Sequence, residues 1–176
     1  MELITRMMDG SISYDPEGRL EPVSSGPGVK QEDKIERLKE VPVFEACSHR
    51  QLRSVARVAR VFDVAADTVL ARAGEPGDEF FLIIDGTARA EVSAEKRVLL
   101  HPGEFFGEMS ILDGGPRSAT VVADTPLRLL VISRRHFSML LKDVPGLTQT
   151  LLATLSKRVR QAEERAERLG SASTGL

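Results

Sequence analysis

The chain has one cysteine, Cys47, in 176 residues. No internal disulfide is therefore available, and a reducing compartment is expected. No apolar run approaches the roughly 20 residues that span a bilayer. The first ten residues lack the apolar stretch of a secretory signal. The expectation is a cytoplasmic protein with no membrane partner. Only three histidines occur, His49, His101 and His136, too scattered for metal-ligand spacing. Neither a GxSxG elbow nor a GxxxxGK[ST] loop is present, so no catalytic function, metal or cofactor is expected. Charge of one sign is also missing: 24 Lys and Arg stand against 26 Asp and Glu. That balance argues against an electrostatically driven nucleic-acid partner.

What is there reads in blocks. Residues 1–30 are broken by Gly10, Pro16, Gly18, Pro22, Gly26, Pro27 and Gly28, and are expected to form a flexible tail. That tail is either without function or a docking segment. Gln31 to Glu40 suits a short amphipathic helix that Pro42 ends. Ser48 with Gln51 makes a capping box for a second helix, whose apolar face is Leu52, Val55, Ala56 and Ala59. Arg50, Arg53, Arg57 and Arg60 share another stripe. It is a surface for a partner, or a solvated face paired with Glu32, Glu36 or Glu40.

From about residue 60 the period shortens to that of strands: 61–64, 68–72, 79–85, 88–93, 97–100, 119–123 and 127–132. Turn signals such as Gly74-Glu75-Pro76-Gly77-Asp78 and Asp85-Gly86 separate them. Short strands at this spacing suggest a barrel, sandwich or roll. Two helices close the pattern, one over 134–141 and a long one over 147–169. In the latter, Leu152, Leu155, Val159, Ala162, Ala166 and Leu169 recur as a heptad stripe. The last residues, 170–176, are expected to be disordered.

Phe106 to Val121 (FGEMSILDGGPRSATV) breaks the strand pattern. Gly107 permits close approach of a ligand. A short helix from Gly107 to Leu112 would aim free N–H groups and the positive end of its dipole at one spot, which favours phosphate. Gly114-Gly115-Pro116 turns the chain back, so that Arg117 can offer a forked, charge-assisted pair of hydrogen bonds beside the same spot. Glu108 offers acceptor oxygens to a hydroxyl donor. Amides and arginine for phosphate, with a carboxylate for a sugar hydroxyl, describe a nucleotide site.

These sixteen residues resemble the phosphate-binding cassette of the cyclic nucleotide-binding domain family. Leu70 to Gly86 (LARAGEPGDEFFLIIDG) resembles the family's other signature. The resemblance covers about residues 33–169. It implies a mainly β fold, an eight-stranded, jelly-roll-like β-roll with N-terminal helices and a C-terminal helix pair, over residues 31–169. It also implies roles. Glu108 would hold the ribose 2′-hydroxyl and Arg117 the cyclic phosphate. The amides of Met109, Ser110 and Ser118 would add donors, and Gly107 would leave room for the sugar. The implied ligand set is Phe106, Gly107, Glu108, Met109, Ser110, Arg117, Ser118 and Ala119. From the last helix Leu155, Arg158 or Val159 would cover the base, Arg158 by stacking. Ser118 leans towards cAMP, with cGMP the alternative. The resemblance implies a cAMP sensor, acting through an effector protein or a homodimer built on the last helix. With too little chain after that helix for a winged-helix domain, the expectation is a stand-alone module. A ligand-free β-roll scaffold is the other reading.

Overall fold

The computed structural model describes residues 13–14, 20–21, 31–45, 47–93 and 96–172. Of the expected tail, β1 (Ser13–Tyr14) and β2 (Leu20–Glu21) form a two-stranded antiparallel ladder. The rest of residues 1–30 lies outside the described residues, as do residues 173–176; residues 170–172, expected to be disordered, are instead helical.

The helices α1 (Gln31–Lys39) and α2 (His49–Val58) follow, joined through a 3-10 turn at Pro42–Phe44. The capping box forms: the Gln51 amide donates to Ser48 Oγ and the Ser48 amide to Gln51 Oε1. Leu52, Val55 and Ala56 are buried. The basic stripe departs from its expected form. Arg60 sits on the first strand of the roll, not on α2, and Glu36 pairs with Lys39 of its own helix rather than with an α2 arginine.

Eight strands make two four-stranded antiparallel sheets. One sheet runs β3 (Arg60–Val64), β10 (Leu127–Ser133), β5 (Glu79–Asp85), β8 (Phe105–Phe106). The other runs β4 (Val69–Ala71), β9 (Thr120–Ala123), β6 (Ala88–Ser93), β7 (Lys96–Leu100). Seven strands fall within a residue or two of the β-prone runs. The eighth, β8, is too short to leave a periodic signal. It pairs Phe106 with Phe81 and Phe105 with Leu82.

The central strands β5 and β10 are apolar on both faces, and the pleat divides them between two cores. Phe81, Ile83, Leu127, Leu129 and Val131 point into the roll, with Phe62, Val64, Leu70 and Phe106. Phe80, Leu82, Leu130 and Ile132 point outward, under the helices. There Phe80 stacks on Phe137 at 4.4 Å between centroids and meets Phe105 at 5.4 Å.

After β10 come α4 (Arg134–Asp143) and α5 (Pro145–Ala172). Pro145 opens α5 as well as closing off α4, because a first-turn residue has no intrahelical N–H bond to lose. The face of α5 that packs is Leu147, Leu151 and Leu155. This corrects the heptad reading, in which the bulky first half of the stripe, Leu152 included, rests on the roll. Leu152 is 59% exposed and Val159 56%. Leu147, Leu151 and Leu155 stand at i, i+4 and i+8, positions that share one face of a helix.

Candidate functional site

The site is built where β8 leaves the sheet. Its two phenylalanines are held from below, Phe106 by stacking on Phe81 with centroids 4.7 Å apart. The chain then turns sharply at Gly107, whose φ of 85° lies in the left-handed region. A Cβ there would also strike the Arg117 guanidinium and the Glu79 carbonyl, so glycine is required twice over. The helix α3 (Glu108–Asp113) starts at once, with Gly107 as N-cap and no side-chain cap. Its first N–H groups have no intrahelical acceptor. The loop 114–119 then brings Arg117 back: the Arg117 amide donates to the Glu75 carbonyl and its carbonyl accepts from the Gly74 amide.

Arg117 is 6% exposed. Its Nη1 donates to the carbonyls of Glu79 at 2.9 Å and Gly107 at 3.1 Å. Its Nη2 donates to the Glu79 carboxylate at 3.3 Å, and the guanidinium lies 5.5 Å from the Phe81 ring centroid. Gly77 supplies the floor, since a Cβ there would overlap the Arg117 side chain. Burial draws the guanidinium's pKa down, and the charges of Glu79, Asp78 and Glu108 oppose that.

Glu108 is 2% exposed. Burial pushes its carboxyl pKa up, while Arg158, its own backbone amide and Arg117 pull it back. From α5, Arg158 Nη1 donates to Glu108 Oε1 at 2.5 Å and Nη2 to the Phe105 carbonyl at 2.7 Å. The same guanidinium lies 5.0 Å from the Phe105 ring centroid.

The expected residues thus gather at one end of the roll. Phe106 and Ser110 are buried beneath the site, while Met109 and Ser118 are exposed and Ala119 is half-buried. Arg158 reaches the site, and its partner there is the carboxylate assigned to ribose. Leu155 packs against the helical core and Val159 faces solvent. Sequence reasoning missed three participants. Glu79 seats Arg117. Phe105 seats Arg158. Arg134, the first residue of α4, ties the neighbouring elements together: it donates through Nε to Asp78 Oδ1 at 2.8 Å and through Nη2 to the carbonyls of Gly77 and Ser110 at 3.1 and 3.0 Å. Nothing in local periodicity marks these contacts, which join residues 24 to 57 positions apart.

A buried guanidinium near a helix N-terminus, with a buried carboxylate on the first turn, can hold an anion and a hydroxyl. Residues 61–144 match the family described as "Cyclic nucleotide-binding domain". This stretch is a cyclic nucleotide-binding domain. The chain is 37% identical over 118 residues to the cyclic nucleotide-gated potassium channel mll3241 of Mesorhizobium japonicum, a match covering 67% of this chain and 33% of the channel. It is 37% identical over 95 residues to the cyclic AMP receptor protein of Thermus thermophilus, covering 51% of this chain and 44% of the receptor. A solved structure of PKAR CBD2 with Sp-2Cl-cAMPS bound superposes with a TM-score of 0.66 at 26% identity, covering 82% of this chain and 95% of that one. The chain therefore spans well under two thirds of the channel and of the receptor, and what it shares with them is the nucleotide-binding domain. Among the described residues no helix is long and apolar enough to cross a membrane.

Proposed function

We propose that the domain binds cAMP and reports its occupancy through α5. The observation that carries this reading is the joint placement of Arg117 and Glu108. Both are nearly fully buried, Glu108 on the first turn of α3 and Arg117 on the loop that follows it. Arg117 pairs with the cyclic phosphate beside the first amides of α3, and Glu108 accepts from the ribose 2′-hydroxyl. Gly107 and Gly77 keep the space that side chains would fill. The likeness to a cyclic AMP receptor and to a domain solved with a cAMP analogue supports cAMP over cGMP.

The signal leaves through α5, because Arg158 on that helix touches the ribose acceptor. Leu152 and Val159 are exposed on α5 and are seven residues apart, which suits a seam with an effector or a second copy of this chain. Calorimetric titration with cAMP and cGMP side by side tests the ligand. Tight binding of cAMP with weaker binding of cGMP is expected, and no heat with either defeats the reading. Deleting residues 156–176 removes Arg158. It is expected to weaken cAMP binding without abolishing it, and to convert any dimer to monomer in sedimentation. Unchanged affinity would remove α5 from the mechanism.

A further inference from the structure

We propose that the cleft between α1 and the outer face of the β3–β10–β5–β8 sheet is the docking site of the chain's own residues 1–9, with Leu3, Ile4, Met7 and Met8 as the apolar anchors. No residue of the nucleotide site takes part, so the inference stands apart from that reading.

Strand register builds the cleft. Leu130 of β10 lies opposite Val61 of β3, and Arg128 opposite Asp63; such pairs share a face of the sheet. This is the face that Leu130 turns towards the helices. The helix α1 covers it only in part. Leu38 and Leu130 are buried, whereas Val61 and Ile84 are half-buried. An open cleft of about 320 Å³, mouth included, is left between them, lined by these four aliphatic side chains and by Lys34, Arg37 and Arg128. Arg128 is held by the Asp63 carboxylate at 2.6 and 2.9 Å, and the Asp85 charge also acts on it. Lys34 Nζ donates to the Ala59 carbonyl at 3.3 Å, and Arg37 is exposed, with its charge felt at Asp63. Among the described residues that leaves Lys34 and Arg37 for an acidic occupant. The cleft therefore asks for aliphatic side chains flanked by carboxylates.

The chain carries such a segment. Leu3, Ile4, Met7 and Met8 lie between Glu2 and Asp9, and unbranched methionine fits irregular gaps well. Up to residue 21, five acids (Glu2, Asp9, Asp15, Glu17, Glu21) stand against Arg6 and Arg19, a net −3, while the whole chain carries only −2. The segment is thus acidic where the cleft is basic. Connectivity brings the two together. β1 pairs with β2 so that Ser13 lies opposite Glu21, and the chain enters and leaves this hairpin at one end. Glu21 precedes Gln31, the first residue of α1, by ten positions. That link spans at most about 36 Å, and α1, one wall of the cleft, is only about 13 Å long. Residues 1–9 start from the same end of the hairpin and are within reach of the whole wall. Tethering sets their effective concentration on the order of millimolar, so a contact too weak to hold a free peptide holds this one.

The test is methyl NMR on the full chain, with no nucleotide added. The proteins are the parent, the double variant Leu3→Asp with Ile4→Asp, and Arg37→Glu, each with a melting curve. In the parent, nuclear Overhauser contacts are expected from the methyls of Ile4, Met7 or Met8 to those of Val61 and Ile84. The double variant changes nothing in the walls of the cleft. It is expected to lose these contacts, to shift the Val61 and Ile84 signals, and to melt a few degrees lower. Arg37→Glu, at an exposed position, is expected to weaken the contacts about twofold or more. Val61 and Ile84 signals that are the same in the parent and the double variant give the cleft to another occupant and overturn the proposal. Contacts undiminished in Arg37→Glu overturn the charge match on which the choice of occupant rests. Contacts that fade on dilution, with a doubled mass in sedimentation, place a second copy's segment in the cleft and overturn docking within one chain.

Discussion

Replacing Arg117 by leucine separates the two duties that this side chain performs. In the fold it supplies Nη1 to two backbone carbonyls, those of Glu79 and Gly107, and pairs with a Glu79 carboxylate that is 30% exposed. Leucine removes all three contacts. The Glu79 carboxylate is exposed enough to take water instead, so its loss costs little. The two carbonyls lose a donor in a site that is 6% exposed, at about 1 kcal/mol each, more if water cannot reach them. The sum is about 2–3 kcal/mol, against a total stability of about 5–15 kcal/mol for a domain. The variant is expected to fold with a melting point lower by several degrees. Ligand binding should suffer more. A charge-assisted hydrogen bond to phosphate is worth about 1.5–3 kcal/mol, which is about 10- to 150-fold in affinity. Arg117→Lys restores charge without the fork and should fall between. The assay is calorimetric titration with cAMP, run beside a thermal melt on the same samples. A leucine variant that binds within a factor of about two of the parent would refute the assignment of the phosphate, whatever its melting point.

Glu108→Ala is expected to weaken cAMP by about tenfold or more and 2′-deoxy-cAMP much less, since the deoxy ligand has no hydroxyl to lose; equal losses in calorimetry would mean that Glu108 acts on the fold and not on ribose. At about 100 times its dissociation constant a ligand specific to the native state adds about 2.7 kcal/mol, so cAMP should raise the melting point by several degrees, cGMP by less and AMP not at all. Equal shifts with cAMP and AMP would show that the cyclic phosphate is not read. On β3, the Arg128 hydrogen bond lowers the Asp63 pKa against a smaller desolvation cost, and the charges of Arg128 and Arg37 add to the lowering. A carboxylate with a lowered native value stabilises fully above its unfolded value of about 3.9 and loses that contribution as the pH falls through the native value. Asp63→Asn should therefore cost under about 1 kcal/mol at neutral pH, because the pair is exposed, and nothing in denaturant melts run well below pH 3.9.

The sequence was most informative where local chemistry decides structure. Ser48 and Gln51 announce the start of α2 because a capping box needs only those two side chains three residues apart in the chain's own frame. The cassette is legible for the same reason: a glycine at positive φ, a short helix and a returning turn lie within sixteen residues. Strands β5 and β10 stand out as apolar runs because both faces of each are buried. What local pattern does not record is which of two similar faces a long helix presents. On α5 both Leu152 and Leu151 are candidates, and the packing of α5 against α4 and the 3-10 turn favours Leu151. Likewise β8 is two residues long, and it exists because Phe81 and Leu82 of β5 lie alongside it.

The contact between Arg158 and Glu108 is the strongest instance of this limit, since fifty residues separate them in sequence. Each is ordinary alone: an arginine in a charged helix, and a glutamate on the first turn of a short one. Their meeting depends on three placements that accumulate along the chain. β8 must pair with β5 to set Phe105, α4 must pack through Phe137 and Leu140, and α5 must lie down on Leu147, Leu151 and Leu155. The position of Arg158 on α5 follows from that last row, three residues beyond Leu155 and on the same side of the helix. A shift of α5 by one residue would turn Arg158 away by about 100° and leave a buried carboxylate without its nearest cation, which is costly. The polar contact therefore selects the register of α5 that the leucines alone leave loosely specified, and it makes the seating of the last helix depend on the state of Glu108.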